Sequence, residues 1–551
     1  MRCKLAVLFG LFVLPVSAWA DTYYISASSG AGADCTAAAP CDSFATAAGK
    51  VASRPATIHY FRGHYTATGN ANADIIVGET TFPRFDGVNW ITIEGDIIGT
   101  GLFSSTEAAI LSGYATNTIK RSSGVEVRDL YFENHEDQAF EVLDSSAIYI
   151  HRLGLKSPNS WSNNFGNGIV FASANDGAGL NRGTVQSLIE DVWITGVFKY
   201  GVLIGGTTCF SEKNIVRRVV MRWDGSAPTN NPTGGIVNYG VTTDINGARN
   251  NIVQNSIVLD NNPCVAPYYG GGETCYSGFY IPHAATNIQT YGSVALNLGT
   301  DWEGFGFGED SASNNQVYNS IAWNIRTNPV HSSNLASSQT LANMTIYSGT
   351  APFFNDDTAL AIRNTQWYRS QAPVAGSSST HNGYFPSTAA PAGGLVRYMD
   401  DPYVSATIYI TSPSVVMSTR GISGTHLGAR IMYQHGQTGT RYGDAGYNVL
   451  SSTPLFNPDF PYGVRIKSLF SAPDTGGAKA NNPSNDVTRG WTDTDLTLAA
   501  YVATYAAADK TCPSDICIGA AEGGGGDPSP TPGITYGING GGTFRPGGTF
   551  R

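Results

Sequence analysis

The chain is short of charge: 32 lysines and arginines with 42 aspartates and glutamates make only 13% of 551 residues, about half the share usual in soluble globular proteins. Lysine occurs nine times. A net charge of −10 excludes a basic nucleic-acid binder, and 41% hydrophobic residues exclude a disordered polyelectrolyte. Strong helix formers are scarce while glycine, at 65, and Asn, Ser and Thr are plentiful, which excludes a mostly helical protein. After residue 20 no stretch of 18 or more apolar residues occurs, so no membrane-spanning helix is expected. CxxC and HExxH spacings are missing, and P-loop, dinucleotide and nucleophile-elbow signatures lack suitable contexts.

What is present begins with Arg2 and Lys4, an apolar run from Leu5 to Leu14, and Ala18-Trp19-Ala20. This is the pattern of a cleaved export signal, with Asp21 as the mature N-terminus. Losing Arg2 and Lys4 takes the net charge from −10 to −12, which disfavours nucleic acid and anionic membranes as partners. The mature protein is expected in the medium, at the cell surface or in the periplasm. Of its cysteines, Cys35/Cys41, Cys264/Cys275 and Cys512/Cys517 read as loop-closing disulfides in an oxidising compartment, and Cys209 is left over.

Two interleaved ladders run along the chain. One starts at Asn214, Asn251, Asn287, Asn315 and Asn343, each followed by alternating apolar and polar residues. The other reads Gly168-Ile, Gly201-Val, Gly235-Ile, Gly278-Phe, Gly304-Phe and, more loosely, Pro329-Val. Recurring strands with Gly and Asn turns are the mark of a β-solenoid, and several spacings fall below the roughly 40–50 residues a propeller blade needs. The fold expected is all-β, a right-handed parallel β-helix. Asparagines at equivalent turns would stack their amides, and Ser43-Phe-Ala-Thr-Ala-Ala-Gly-Lys would form a capping helix over the open end.

Thr22-Tyr-Tyr-Ile-Ser, the Cys35/Cys41 loop, Ser43-Phe-Ala-Thr and Ile58-His-Tyr-Phe-Arg-Gly-His-Tyr resemble the opening of secreted bacterial right-handed parallel β-helix proteins. These belong to the pectate-lyase-like superfamily, in its chondroitinase-B-like branch. Ile189-Glu-Asp-Val-Trp-Ile-Thr-Gly and Asn214-Ile-Val-Arg-Arg-Val-Val-Met-Arg-Trp resemble its coils, and the likeness covers roughly residues 22–370. The expected organisation is signal peptide 1–20, β-helix with its N-terminal cap 21–395, C-terminal appendage 396–520 packed on the helix, and a flexible Gly/Pro-rich tail 521–551. That tail ends in a twice-repeated Gly-Gly-Thr-Phe-Arg unit, where self-association through an added strand is one reading and disorder the other.

The glycine ladder lets one face be read residue by residue. If Ile169, Val202, Ile236, Phe279, Phe305 and Val330 point inward, then Val170, Leu203, Val237, Tyr280, Gly306 and His331 point outward. The next outward set is Ala172, Gly205, Tyr239, Pro282, Gly308 and Ser332, and the following turn brings His283 beside Glu309 and Asp310. Rings for the apolar faces of sugars beside groups that move protons suit a polysaccharide. Glu309, Asp310 and His283 are therefore the candidate catalytic residues, and Tyr239, Tyr280, His331, Asp301 and Glu303 the candidate binding residues. The acidic group Asp301, Glu303, Glu309 and Asp310 also reads as a solvated turn or a calcium site. No motif demands a cofactor, and calcium is the one ion that turn would suit.

The resemblance implies lyase chemistry with Lys and Arg on neighbouring coils and calcium held by Asn and Glu. Lys199 is the only lysine beside the glycine ladder, and Arg217, Arg218 and Arg222 sit on the other one, so that set is not found. Two readings of function remain. One is an exported protein that binds an extended polysaccharide and cleaves it as a hydrolase or lyase. The other is a non-catalytic structural or adhesive rod that forms filaments or anchors through its tail.

Overall fold

The computed structural model describes residues 20–454 apart from 28–33, 67–72, 97–107, 114–115, 136–137, 157–165, 175–182, 196–198, 206–208, 223–233, 241–246, 260–276, 299–302, 308–311, 326–327, 333–338, 348–353, 356–359, 369–377, 386–395, 399–420, 430 and 432. The expected signal sequence, Cys264, Cys275, Cys512, Cys517 and the terminal repeat lie outside the described residues.

Parallel strands stack in three faces, and their connections wind right-handed, as β-crossover-β connections do. Face one runs from Asp21–Ile25 through Ala56–Tyr60, Ile91–Gly95, Ser123–Arg128 and Ser146–His151 to Leu360–Arg363. Face two follows in each coil, for example Ile257–Leu259, Val294–Leu298 and Ile321–Ile325. Face three comprises Ile76–Val77, Thr116–Lys120, Gln138–Leu143, Asn167–Ala172, Tyr200–Gly205, Gly234–Tyr239, Ser277–Ile281, Glu303–Phe307, Asn328–Ser332 and Phe354–Asn355. The chain is thus a right-handed parallel β-helix. Inward residues of all three faces, among them Ile58, Val127, Val202, Val219, Phe279 and Ala322, merge into one continuous apolar core. A coil by itself could not bury these side chains; stacking like on like does so.

The bend between faces one and two is a single left-handed residue. Asp129, Arg152, Asp191, Arg218, Asn255, Gly292, Asn319, Asn343 and Asn364 hold it in successive coils, with φ between 49° and 60°. Asn and Gly tolerate this conformation best. The expected single asparagine ladder is in fact divided. Asn214, Asn251 and Asn315 form a buried amide ladder at the entry to face one, where each side chain bonds main-chain groups of adjacent coils. Ile288, not Asn287, holds the equivalent buried place, while Asn287 takes the exposed left-handed position before it. Asn343 belongs to the other bend. A strand-length count from one asparagine to the next does not distinguish a buried amide from a left-handed turn one residue away.

Glycine in the second ladder answers to close approach: a Cβ on Gly201 would lie 2.0 Å from Met221 Sδ of the core. At the N-terminal end the helix Phe44–Lys50 closes the stack, capped by Ser43 Oγ accepting from Thr46 N–H at 3.2 Å. Beside it Cys35 and Cys41 form a disulfide. Cys209 is buried. From the C-terminal side, residues 421–454 lie against the helix and include the antiparallel pair Tyr433–His435 and Leu450–Pro454. No helix among the described residues is long and apolar enough to cross a membrane.

Candidate functional site

The outward row of face three is in register as the glycine ladder implies: Val170, Leu203, Val237, Tyr280, Gly306 and His331 lie side by side on successive strands. Strands at this spacing, about 4.8 Å, put Tyr239, Tyr280, Glu303 and His331 on four consecutive coils. Ser332 is a correction to the expected outward set. It pairs with Phe307 and is buried, because one step along a strand from outward His331 leads inward.

Four side chains converge at Gly306. Ser277 Oγ donates to Glu303 Oε2 at 2.6 Å, and His331 Nδ1 contacts Glu303 Oε1. A Cβ on Gly306 would fall 2.1 Å from Ser277 Oγ, 2.9 Å from Tyr280 Cδ2 and 3.1 Å from Glu303 Oε2. The missing side chain therefore leaves the space in which these groups meet. Glu303 is only 8% exposed and Tyr280 7%, whereas the His331 side chain keeps 28% of its surface open. The carboxylate thus orients an imidazole that reaches solvent, an arrangement suited to proton transfer. One coil away Tyr239, half-buried, meets His283 edge to face with ring centroids 5.2 Å apart. His283 follows the Ser277–Ile281 strand in a left-handed turn, φ 53°. Further along the same face Lys199 Nζ lies 5.5 Å from the Tyr200 ring centroid.

Asp301, Glu309 and Asp310 lie outside the described residues. Among the described residues no group of three or more His, Cys, Asp and Glu is placed to hold a metal ion.

Sequence reasoning missed an ionic cluster on the outer side of face one. Arg217 donates to Glu190 at 2.8 Å and Arg218 to Asp191 at 2.7 Å, with Tyr149 OH donating to Glu190 at 2.7 Å. All five are buried. Main-chain carbonyls of residues 435–447 cover them: Arg217 donates to Gln437, Thr440 and Tyr447, and Arg218 to His435 and Gly436. Burial and the two adjacent guanidinium groups push His435 down to about 3. Burial alone pushes Arg218 down to about 10, against a smaller opposing effect of Tyr149. Beside them burial raises Glu126, but hydrogen bonds and charge from His151 and Arg441 outweigh it and leave the carboxyl at about 2. The available signal was an acidic pair, Glu190-Asp191, one coil before a basic pair, Arg217-Arg218. This cluster is buried beneath the 435–447 carbonyls, whereas the His331 and Tyr239 side chains of face three reach solvent.

No protein-family profile and no curated protein matches the chain. Solved structures similar to it include a pectate lyase, 10% identical, covering 74% of this chain and 96% of that one with a TM-score of 0.41. A lacto-N-biosidase from Eubacterium ramulus is 10% identical over 69% of this chain and 67% of its own, TM-score 0.44. An alginate lyase from Paenibacillus sp. is 13% identical over 68% and 98%, TM-score 0.38. The fold is a right-handed parallel β-helix, as the chain's own strand pairing shows. At these identities the likeness says nothing of this chain's chemistry.

Proposed function

We propose that the protein acts outside the cytoplasm on an extended polysaccharide laid along the outer side of face three, and cleaves it with His331, oriented by Glu303, as the proton-transfer group. The observation that carries this reading is the convergence of Ser277, Tyr280, Glu303 and His331 at Gly306. Tyr239 and His283 extend the same surface by one coil as a sugar platform. Glu309 and Asp310 follow Gly306 closely in the chain and are the candidates for a second carboxylate, which a hydrolase needs at about 5–9 Å from the first. The Cys35–Cys41 disulfide supports an oxidising compartment, in keeping with the export signal. A calcium ion at Asp301, Glu309 and Asp310 belongs to the same proposal.

The test is product release by the mature chain on neutral and acidic polysaccharides, with and without calcium. Reducing ends and ultraviolet absorbance of unsaturated products are both followed. Activity is expected to fall at least 100-fold in Glu303→Gln and His331→Ala, and affinity about tenfold in Tyr239→Ala. Reducing ends without absorbance assign hydrolysis; absorbance assigns elimination. Full activity in both Glu303→Gln and His331→Ala would sink the proposed site. Neither binding nor product on the whole panel would leave the non-catalytic rod.

A further inference from the structure

The 435–448 segment stops short of the first coils. Its last contacts in that direction are Arg441 with Glu126 and Arg441 Cζ 4.3 Å over the Trp90 ring. Beyond them no described residue of that segment covers the outer side of face one on the strands Asp21–Ile25, Ala56–Tyr60 and Ile91–Gly95, whose outward side chains are partly exposed. Tyr24, His59 and Glu94 lie side by side there, with Phe61 and Asp96 two residues further along their chains. None of these five is buried, and each side chain alternates with an inward core residue such as Ile25, Ile58 or Ile93.

The residues form an organised surface. Tyr24 and Phe61 stack at 5.2 Å with 19° between the rings, and His59 meets both edge-on at 5.5 and 5.6 Å. His59 Nδ1 is 3.1 Å from Glu94, which also accepts from Arg128 Nε at 3.0 Å. These bonds fix the imidazole and neutralise Glu94. Asp96 is different. Its nearest partners are the Arg62 N–H at 3.5 Å and His59 Nε2 at 4.0 Å, both weak, so its carboxylate keeps strong acceptor capacity. Alongside runs a row of three threonines in register, Thr22, Thr57 and Thr92, whose hydroxyls no described residue engages.

We propose that this surface is a second glycan-binding site, separate from face three, that takes two or three residues of a neutral polysaccharide. The outer faces and edges of the stacked pair offer an apolar patch to the flat side of a sugar. Asp96 accepts from sugar hydroxyls, and the threonine row supplies both donors and acceptors at strand spacing. The unneutralised Asp96 disfavours uronates, which fits the acidic chain as a whole. Holding one polymer at two places on a rigid rod raises avidity without a new contact at either.

Radical footprinting with mass spectrometry tests this on the full mature chain, using hexasaccharides of glucose, xylose and mannose, with trigalacturonate as the acidic probe. A neutral hexasaccharide is expected to protect Tyr24 and Phe61, and the protection is expected to survive Tyr239→Ala, which disables only the face-three surface. Asp96→Asn, an isostere at a partly exposed position, is expected to weaken the protecting affinity at least fivefold, and Tyr24→Ala at least tenfold. No protection by any neutral sugar overturns the site. So does equal affinity in Asp96→Asn and Tyr24→Ala, or protection that disappears in Tyr239→Ala. Protection by trigalacturonate alone overturns the neutral assignment.

Discussion

Asn251 ties its own coil to the preceding one with one side chain. Its Oδ1 accepts from Asn214 N–H at 2.9 Å, and its Nδ2 donates to the Ser211 carbonyl at 3.0 Å, with the side chain buried. Asn251→Ala leaves a buried donor and acceptor unpaired and is expected to cost about 2–4 kcal/mol in chemical denaturation. Asn287→Gly, at an exposed left-handed position, is expected to stay within about 0.5 kcal/mol. Equal losses in the two variants would show that the buried amide ladder does not stabilise the coils. The sequence displays both asparagines in the same repeating context, so their different roles are illegible there. One residue of offset separates a bond to the neighbouring coil from a turn in water. Likewise the Glu303 and His331 contact was not legible: each was recognisable as a face-three residue, but their meeting depends on Gly306 having no side chain.

Among elements, the segment 433–454 shows how far a local reading extends. It was recognisable as a change of grammar after the repeats, but not as the cover of face one, since its partners lie 157–315 residues earlier. Arg217→Met leaves buried Glu190 with Arg218 as its remaining counter-ion and removes four hydrogen-bond contacts, made by two nitrogens, to the segment's carbonyls and to Thr440 Oγ1. Losing one partner of such a pair is expected to cost about 3–5 kcal/mol. Limited proteolysis within 433–454 should accelerate at least tenfold, and unchanged cleavage would mean that Arg217 does not hold the segment. Acid should act on the same contact. His435 has a folded value of about 3, below its ordinary 6.5, so the stability it contributes is complete above about 6.5 and is lost as pH falls from there toward 3. Glu126, at about 2 against 4.5, adds loss between about 4.5 and 2 in the same direction. Each proton taken up costs up to about 1.4 kcal/mol per pH unit. Hydrogen exchange across 435–448, per unit of intrinsic rate, should therefore rise steadily below pH 6.5, and His435→Gln should remove the upper part of that rise. A profile flat from 7 to 4 would exclude His435 from this role.

At the scale of the whole molecule, the β-helix is a rod whose three outer sides differ in fate. Face two's outward row, including Trp193, Val220, Ile257 and Val294, is apolar and buried. Face one is covered over its middle coils by the 435–448 segment, which does not reach the N-terminal strands. Face three keeps Tyr239 and His331 within reach of solvent. The sequence by itself determined the parallel β-helix, its core and the register of the face-three ladder. Every coil is a local unit with an inward period of two, and stacking requires that like positions recur. Which outer sides are closed, and which polar groups meet there, only the tertiary structure decided. The covering segment comes from far along the chain, and the ionic partners sit on neighbouring coils. Neither spacing leaves a periodic mark, because outward side chains answer to what lies above them rather than to the repeat beneath.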